Sequence, residues 1–454
     1  MKIAFHTLGC KVNQYETEAM IRDFRAKGHE IVDEKDMADV YVVNTCTVTA
    51  MADKKSRQFV RKMKKQNPDS VVVVAGCYSQ VRPDDVAAVE GVDIVTGTAS
   101  KCEIPSYVDK FMEDGIKQVH VKGFEELDSY EDMGFVSGAE NRTRAYIKIQ
   151  EGCNRFCSYC VIPYARGKIR SRDLSQIVEE ARQLIASGYK EIVLTGINTA
   201  LYGLDEVGGK VPARDYAGEL DGIGMYGIEK AIAALNELDG DFRIRLSSLE
   251  PAVVSAEYVK RLMKYDKLCH HVHLSAQSGS DSVLEAMNRP YDLQQYMEIV
   301  RVLREFDPLY GISTDIIVGF PGEKEADFLD SCALVEKAQF VRTHVFKYSK
   351  RPFTKAAQMG GHVAPQIKNE RSDRLQTLAK ACAKDFAAGN LGQVARVLIE
   401  ELDADGQVMN GYSDNYIKVY VNLPSGASFA DFENTFVDVR LSEVVADGMK
   451  GEII

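Results

Sequence analysis

The chain has 454 residues, of which 45% are hydrophobic and 27% are charged, a balance typical of a globular protein in water. A chain of this length is too long for a single ordinary hydrophobic core, so two or three domains are expected. No run of 18 apolar residues occurs, so no membrane span is predicted. The formal net charge of −11 disfavours a protein that binds nucleic acid over its whole surface. Residues 1–6 lead into a strand-like run without a signal-peptide pattern, so a cytoplasmic protein is expected.

The first region, residues 1–122, alternates strand-like and helix-like segments. Its strand-like runs are residues 2–8, 40–44 and 71–75. This alternation predicts βαβ units and a parallel sheet. The acidic stretch that follows, residues 123–140, contains Gly and Ser and is predicted to be a linker.

The second region, residues 141–365, repeats a strand-then-helix pattern six times. Its strand candidates are residues 145–150, 191–196, 242–247, 271–275, 311–318 and 342–348. The pattern predicts a partial (β/α)6 barrel with functional loops at the carboxyl ends of its strands. A Gly-rich insertion at residues 201–228 is either a lid or an exposed loop, and loops are commoner.

The third region begins after a helical linker at residues 366–390. Residues 391–454 alternate apolar and polar side chains between Gly-containing turns, which predicts a small antiparallel β-barrel. The fold class is therefore α/β, with a parallel-sheet first domain, a central partial barrel and a C-terminal antiparallel β-barrel.

Two short stretches are strongly basic in this acidic chain. Residues 141–172 hold eight basic residues and one acidic residue, and residues 54–65 hold seven basic residues and no acidic one. Either stretch is a phosphate-binding surface or a solvated helix face, and charge patterning alone leaves both open.

Cys153, Cys157 and Cys160 form a C-x3-C-x2-C motif directly after the first barrel strand. Iron–sulfur clusters ordinarily take four cysteines, so three thiolates leave one iron of a 4Fe-4S cluster open for a ligand, which suggests catalysis. A structural zinc site would need a fourth ligand, and no Cys or His follows within twenty residues. The motif therefore favours a catalytic iron–sulfur cluster over a zinc knuckle.

A second set of cysteines, Cys10, Cys46 and Cys77, is scattered in the sequence, but each follows a predicted strand of the first region. The carboxyl ends of parallel strands lie along one edge of a sheet, so three thiols are expected to converge there. Three separate buried cysteines are the alternative. Cys102, Cys269, Cys332 and Cys382 show no ligand spacing, and no metal is assigned to His271 or His273.

The C-x3-C-x2-C motif resembles the radical S-adenosylmethionine superfamily. The resemblance implies that the open iron binds S-adenosylmethionine and that Tyr159 lies near its adenine. It also implies that polar residues after the later strands hold this cofactor. These residues are Thr195, Gly196, Asn198, Ser248, Glu250, Gln277 and Asp315.

With its second cysteine set and C-terminal barrel, the chain resembles the methylthiotransferase family over nearly its whole length. The resemblance is carried by residues 8–16, 44–48 and 75–77 in the first region and by 153–172 in the second; the barrel resembles an RNA-binding TRAM domain. Residues 11–16, 162–172 and 411–417 resemble the branch that converts N6-threonylcarbamoyladenosine, beside the tRNA anticodon, to its 2-methylthio form.

The resemblance implies two 4Fe-4S clusters and two molecules of S-adenosylmethionine per product. One methylates a sulfur at the cluster of Cys10, Cys46 and Cys77. The other is cleaved at the cluster of Cys153, Cys157 and Cys160, giving a radical that removes the hydrogen from carbon 2 of the adenine. Both clusters would then face one cavity.

The expected partners are a tRNA anticodon stem-loop and an electron donor such as flavodoxin or ferredoxin, with no membrane and a monomeric enzyme. Arg166, Lys168, Arg170 and Arg172 flank the cysteine motif and are candidates for pairing with phosphates. The barrel region departs from this expectation, because residues 391–454 contain eleven acidic and four basic residues.

Three alternatives remain at this stage. Two are methylthiotransferases that act on isopentenyladenosine in tRNA or on a ribosomal-protein aspartate. The third, from another class, is a non-catalytic zinc-containing RNA-binding protein.

Overall fold

The computed structural model describes residues 1–136, 143–205 and 224–454. Within these ranges the chain forms two compact units. The first comprises residues 1–136, 148–172 and 349–357, and the second comprises 143–147, 173–205, 224–348 and 358–454. Parts of the predicted linker (137–140), of the start of the second region (141–142) and of the Gly-rich insertion (206–223) lie outside the described residues.

The first unit is built on a parallel sheet. In chain order its elements are β1 (Lys2–Thr7), α1 (Lys11–Ala26), β2 (Glu30–Val32), β3 (Val40–Thr45), α2 (Ala50–Gln66), β4 (Val71–Gly76), α3 (Cys77–Val81), α4 (Pro83–Ala87), β5 (Ile94–Thr96), α5 (Ile104–Asp114), β6 (Gln118–His120), β7 (Arg144–Glu151, which begins in the second unit), α6 (Ile162–Arg166) and β8 (Arg170–Ser171).

The six strands β1–β6 lie in the order β2-β1-β3-β4-β5-β6 and pair in parallel. Every residue of β3 and β4 is buried, as expected for central strands covered by helices on both faces. The Val-rich sequence of β4 suits this position, because β-branched side chains pack well on a pleated surface. The parallel sheet predicted for the first region is confirmed.

Residues 123–136 contain no strand but are anchored within the first unit. The Tyr130 hydroxyl donates to the Lys148 carbonyl at 2.8 Å, and Arg22 donates to the carbonyls of Met133 and Phe135 at 2.5 and 2.8 Å. Leu127 and Met133 are buried. This part of the predicted linker is therefore a packed segment.

The second unit contains the remaining elements. They are α7 (Leu174–Ala186), β9 (Glu191–Gly196), α8 (Ile228–Asn236), β10 (Arg243–Leu246), β11 (Ser248–Leu249), α9 (Ala256–Leu262), β12 (His271–Leu274), α10 (Asp281–Ala286), α11 (Leu293–Phe306), β13 (Gly311–Val318), α12 (Glu325–Ala338), β14 (Arg342–Lys347), α13 (Pro365–Ala388), β15 (Val394–Leu402), β16 (Val408–Ser413), β17 (Lys418–Asn422), β18 (Phe436–Val445) and β19 (Gly448–Ile453).

Its strands form parallel sheets and a closed barrel. β9 pairs with β10, and β11, β12, β13 and β14 pair in that order, all in parallel. All six strands predicted for the second region are present. The barrel order is β15-β16-β17-β19-β18, and Val397, Ile399, Val419 and Met449 are in its core. The predicted barrel is confirmed, although one of its pairs, β17 with β19, is parallel.

Candidate functional site

Cys10, Cys46 and Cys77 follow three adjacent strands of the first unit. Cys10 is the N-cap of α1 after β1, Cys46 directly follows β3, and Cys77 begins α3 after β4. The Gly residues before Cys10 and Cys77 have positive φ angles of 114° and 100°. A Cβ on Gly9 would lie 2.8 Å from the Cβ of Cys46, so glycine lets the Cys10 loop approach Cys46.

The thiols of this set interact electrostatically, which places them near one another. Burial, together with negative charge on Cys77 and Cys10, raises the pKa of the Cys46 thiol to about 12. Burial also raises the pKa of Cys77, with Cys10 acting in the same direction and Arg166 opposing it. Three thiolates held together repel one another unless a cationic centre joins them, so the set suits a metal cluster.

The second set, Cys153, Cys157 and Cys160, lies on the loop between β7 and α6 of the same unit. The Cys153 amide donates to the Gly167 carbonyl at 3.0 Å, and the Cys160 amide donates to the Cys157 carbonyl at 2.9 Å. Cys157 is buried, whereas Cys153 and Cys160 are partly exposed. All ten cysteines lie in the described part of the chain, and none of them is in a disulfide.

A buried ion network connects the two cysteine loops. Arg166 donates through Nε to the Cys77 sulfur at 3.3 Å, through Nη1 to Glu151 at 2.6 Å and through Nη2 to Glu16 at 3.1 Å. Lys148 pairs with Glu151 at 2.9 Å and with Glu16 at 3.1 Å. Glu151 stands two residues before Cys153, so one arginine side chain lies between the Cys77 sulfur and the start of the Cys153 loop.

The buried network holds more cations than carboxylates. Lys101 also pairs with Glu16, giving three cations and two carboxylates, all with side chains no more than 2% exposed. At the margin Arg170 lies 3.7 Å from Glu151, and burial raises the pKa of the Glu131 carboxyl, which interacts with Lys148. An unpaired buried charge is costly, so a Cys77 sulfur bound as a thiolate to a metal cluster would offset part of this excess.

Burial alone would raise the carboxyl pKa values in this network. The surrounding cations outweigh burial: Lys148 and Arg166 hold the pKa of Glu151 down to about 2, and Arg166 and Lys101 hold that of Glu16 well below its usual range. Both groups are therefore carboxylates at neutral pH. Sequence reasoning missed Glu16, Lys101 and Lys148 as site residues, although Glu16 stands six residues after Cys10.

Comparisons with known proteins agree with this arrangement. Residues 2–97 match an uncharacterized protein family, UPF0004, and residues 147–335 match the radical SAM superfamily. The chain is 42% identical over 92% of its length, and 89% of the relative's, to the threonylcarbamoyladenosine tRNA methylthiotransferase MtaB of Bacillus subtilis. It is 37% identical to a tRNA-2-methylthio-N(6)-dimethylallyladenosine synthase of Desulfosudis oleivorans, covering 87% of this chain and 82% of that one.

The chain belongs to the radical S-adenosylmethionine methylthiotransferase family.

In fold, this methylthiotransferase is similar to a solved radical S-adenosylmethionine methyltransferase, TsrM from Kitasatospora setae. The TM-score is 0.56 at 16% identity, over 78% of this chain and 76% of that one. The likeness supports the α/β fold.

Several residues predicted to hold S-adenosylmethionine lie in the second unit of this methylthiotransferase. Thr195 and Gly196 end β9, and Ser248 begins β11. Asn198 donates to Glu250 at 2.5 Å, and Arg289, which sequence reasoning missed, donates to Glu250 at 2.6 Å. The side chains of Asn198, Glu250 and Arg289 form one polar group that combines an amide, a carboxylate and a guanidinium.

The other predicted cofactor residues are placed differently. Gln277 has a φ of 67°, and its backbone pairs with Asp315 and Ile317. The Asp315 carboxylate lies 3.3 Å from His273, and with His344 they form a cluster whose ligand atoms lie within 4.8 Å of one another. Tyr159 is half-buried on the Cys153 loop in the first unit.

The structure corrects most of the predicted phosphate contacts of this methylthiotransferase. Arg166, Arg170 and Arg172 are buried: Arg166 binds Glu16 and Glu151, Arg170 donates to the carbonyl of Arg166 at 2.9 Å, and Arg172 donates to the hydroxyl of Tyr15 at 3.2 Å. Buried guanidinium groups with internal partners cannot meet a phosphate on the surface. Lys168 is exposed and pairs with Glu125 at 2.8 Å.

Proposed function

We propose that this chain converts N6-threonylcarbamoyladenosine in tRNA to its 2-methylthio derivative. The observation that carries the proposal is the presence of two three-cysteine sets in one compact unit, connected by the Arg166 network. The MtaB relatives, 42% and 39% identical over 92% and 88% of this chain, support threonylcarbamoyladenosine as the substrate.

Each cysteine set would hold one 4Fe-4S cluster. Cys10, Cys46 and Cys77 would bind the auxiliary cluster, and Cys153, Cys157 and Cys160 the radical cluster. When bound, the two clusters and S-adenosylmethionine supply the sulfur, the methyl group and the radical that removes a hydrogen atom from the adenine. Arg166 would balance the thiolate charge at Cys77 and orient its sulfur.

The polar group of the second unit would bind S-adenosylmethionine. Glu250 would accept from its ammonium group, and Arg289 would donate to its carboxylate, since guanidinium groups suit carboxylates. Thr195, Gly196, Asn198, Ser248, Gln277 and Asp315 of the same unit would complete the contacts. One feature fits an absent polar ligand: the buried Ser247 hydroxyl, beside Ser248, has no hydrogen-bond partner among the described residues.

The partners follow from the same proposal. A tRNA anticodon stem-loop would present the base, and the C-terminal barrel would act as a TRAM-like RNA-binding domain. A flavodoxin or ferredoxin would supply electrons to a monomeric, cytoplasmic enzyme. Among the described helices, none has the length and apolar character needed to cross a bilayer.

Nucleoside analysis separates the candidate substrates. We expect digested tRNA from a deletion strain to lack 2-methylthio-threonylcarbamoyladenosine and to regain it on complementation, as read by mass spectrometry. Persistence of this nucleoside would refute the assignment. Loss of the methylthio form of isopentenyladenosine instead would favour that alternative, which the 37% identical synthase of that type keeps open. Loss of a methylthio-aspartate from a ribosomal protein would favour the alternative in which the enzyme acts on that aspartate.

Metal analysis separates the enzyme from a zinc-containing RNA-binding protein. Anaerobically purified protein should contain about eight irons per chain, and Cys157→Ala about four. This variant should also form no 5′-deoxyadenosine. Cys332→Ala, which changes a half-buried cysteine on α12, is the matched control and should keep both properties. Stoichiometric zinc without iron would contradict the proposal.

A further inference from the structure

The helix α2 carries a stripe of exposed cations that the proposed chemistry does not use. All five side chains are exposed, and they are Lys54, Lys55, Arg61, Lys62 and Lys65. At 100° per residue they fall within about 120° of the helix circumference, and the stripe is about 16 Å long. The only acidic residue of α2, Asp53, is buried and paired with Arg351.

The side chains of these five cations have no partner within the described ranges of the chain. None of the five side chains forms a hydrogen bond or an ion pair there, whereas Lys64 on the same helix pairs with Asp93 at 2.9 Å. Like charges three or four residues apart, such as Arg61 and Lys65, destabilise a helix. The stripe therefore costs helix stability in the free protein, and an anionic partner would remove that cost.

A solvated surface helix ordinarily mixes charges of both signs. The helix α13 is an example, because Lys380 and Lys384 share its exposed surface with Asp373 and Asp385. The α2 stripe differs from such a surface because all five of its exposed charges are positive. It does so although the whole chain has a net charge of −11. A concentrated positive stripe on an acidic protein favours a polyanion over a single small anion.

We propose that the exposed stripe of α2 binds the phosphate backbone of the substrate tRNA. This inference rests on the proposed function. It assigns phosphate binding to α2, because Arg166, Arg170 and Arg172 are buried. Each strand of a duplex carries one phosphate per about 3.4 Å of its axis, so a stripe of about 16 Å passes several of them. Contacts of this kind position an RNA without reading its sequence.

The salt dependence of tRNA binding tests this inference. The stripe variant is Lys54→Gln with Arg61→Gln and Lys65→Gln, since these three positions are nearly in line and Gln is a good helix former. Each lost phosphate contact should reduce the slope of log K against log salt by about 0.7–0.9. We therefore expect a loss of about 2–3 in slope and weaker binding, on the order of 100-fold at 0.1 M salt.

A matched control removes three exposed lysines elsewhere. Lys337→Gln with Lys380→Gln and Lys384→Gln changes net charge by the same amount on α12 and α13, and it should keep the wild-type slope. Lys54→Arg with Lys65→Arg should also keep it, because the charges remain. Iron content and the thermal midpoint would show that each variant is folded.

The outcomes distinguish this inference from the function on which it rests. A stripe variant with the wild-type slope, or a control that loses as much slope as the stripe variant, would overturn it. A wild type that binds tRNA tightly but forms no methylthio nucleoside would count against the proposed function, and the slopes would still decide the stripe. A wild type that binds no tRNA would overturn both.

Discussion

At the residue scale, single residues decide how close the cysteine loops come to the backbone around them. Gly152 stands directly before Cys153 with a φ of 74°, and a Cβ there would lie 1.7 Å from the Lys168 carbonyl oxygen. Backbone cannot yield as a flexible side chain can, so only glycine permits this approach. Arg166, in contrast, depends on a distant partner, since Glu16 lies 150 positions away in the chain.

Gly152→Ala should therefore disturb the Cys153 loop more than an ordinary glycine substitution would. We expect the iron content to fall from about eight toward about four per chain, with loss of 5′-deoxyadenosine formation. Gly188→Ala is the control, because Gly188 also has a positive φ of 94° but has no atom within 4 Å of the added Cβ. Equal iron content in the two variants would contradict the steric argument.

At the element scale, sequence patterns identified the strands better than the connections. All six strands predicted for the second region are present, because alternation and burial leave a period in the sequence. Residues 123–136 have no such period, and their packing depends on contacts with Arg22 and Lys148 that are distant in sequence. Residues 349–357 behave similarly: they belong to the first unit although their chain neighbours belong to the second.

One ion pair anchors the segment 349–357. Arg351 donates to Asp53 and to Thr47, at 2.6 Å in each case, and its side chain is 3% exposed. Arg351→Met should cost about 3–5 kcal/mol in the free energy of unfolding, because it leaves Asp53 buried without its cation.

An exposed pair supplies the comparison for Arg351. Lys168→Met removes the pair with Glu125, whose side chain is 79% exposed, and should cost no more than about 1 kcal/mol. Denaturant unfolding measures both variants. A smaller loss for Arg351→Met than for Lys168→Met would contradict the anchoring role.

At the scale of the whole molecule, buried carboxylates connect stability to pH in both units. In the first unit the pKa of Glu151 is lowered to about 2; in the second, Arg245 and Arg243 outweigh burial and hold the pKa of Glu191 well below its usual range. A lowered pKa in the folded state means that the stabilisation is complete above the unfolded value, near 4.5. It is lost as pH falls toward the folded value.

We therefore expect the apoprotein to lose stability as pH falls from about 4.5 to about 2. Glu151 alone should contribute about 3 kcal/mol of this loss. Circular dichroism during denaturant unfolding at each pH measures the effect. Glu151→Gln should be less stable at neutral pH but should show a shallower dependence over this interval, and an unchanged dependence would contradict the assignment.

The sequence by itself determined the α/β fold class, with a parallel sheet first and a β-barrel at the C-terminus, and both three-cysteine sets, because strand periodicity and ligand spacing are local properties. It also determined the family, through motifs beside those cysteines. Only the tertiary structure decided which charges are available to a partner. Arg166 and Lys62 are both basic residues in basic runs, yet one is enclosed with Glu16 and Glu151 and the other faces solvent on α2. Burial arises from contacts between distant segments, and charge patterning along the chain does not contain that information.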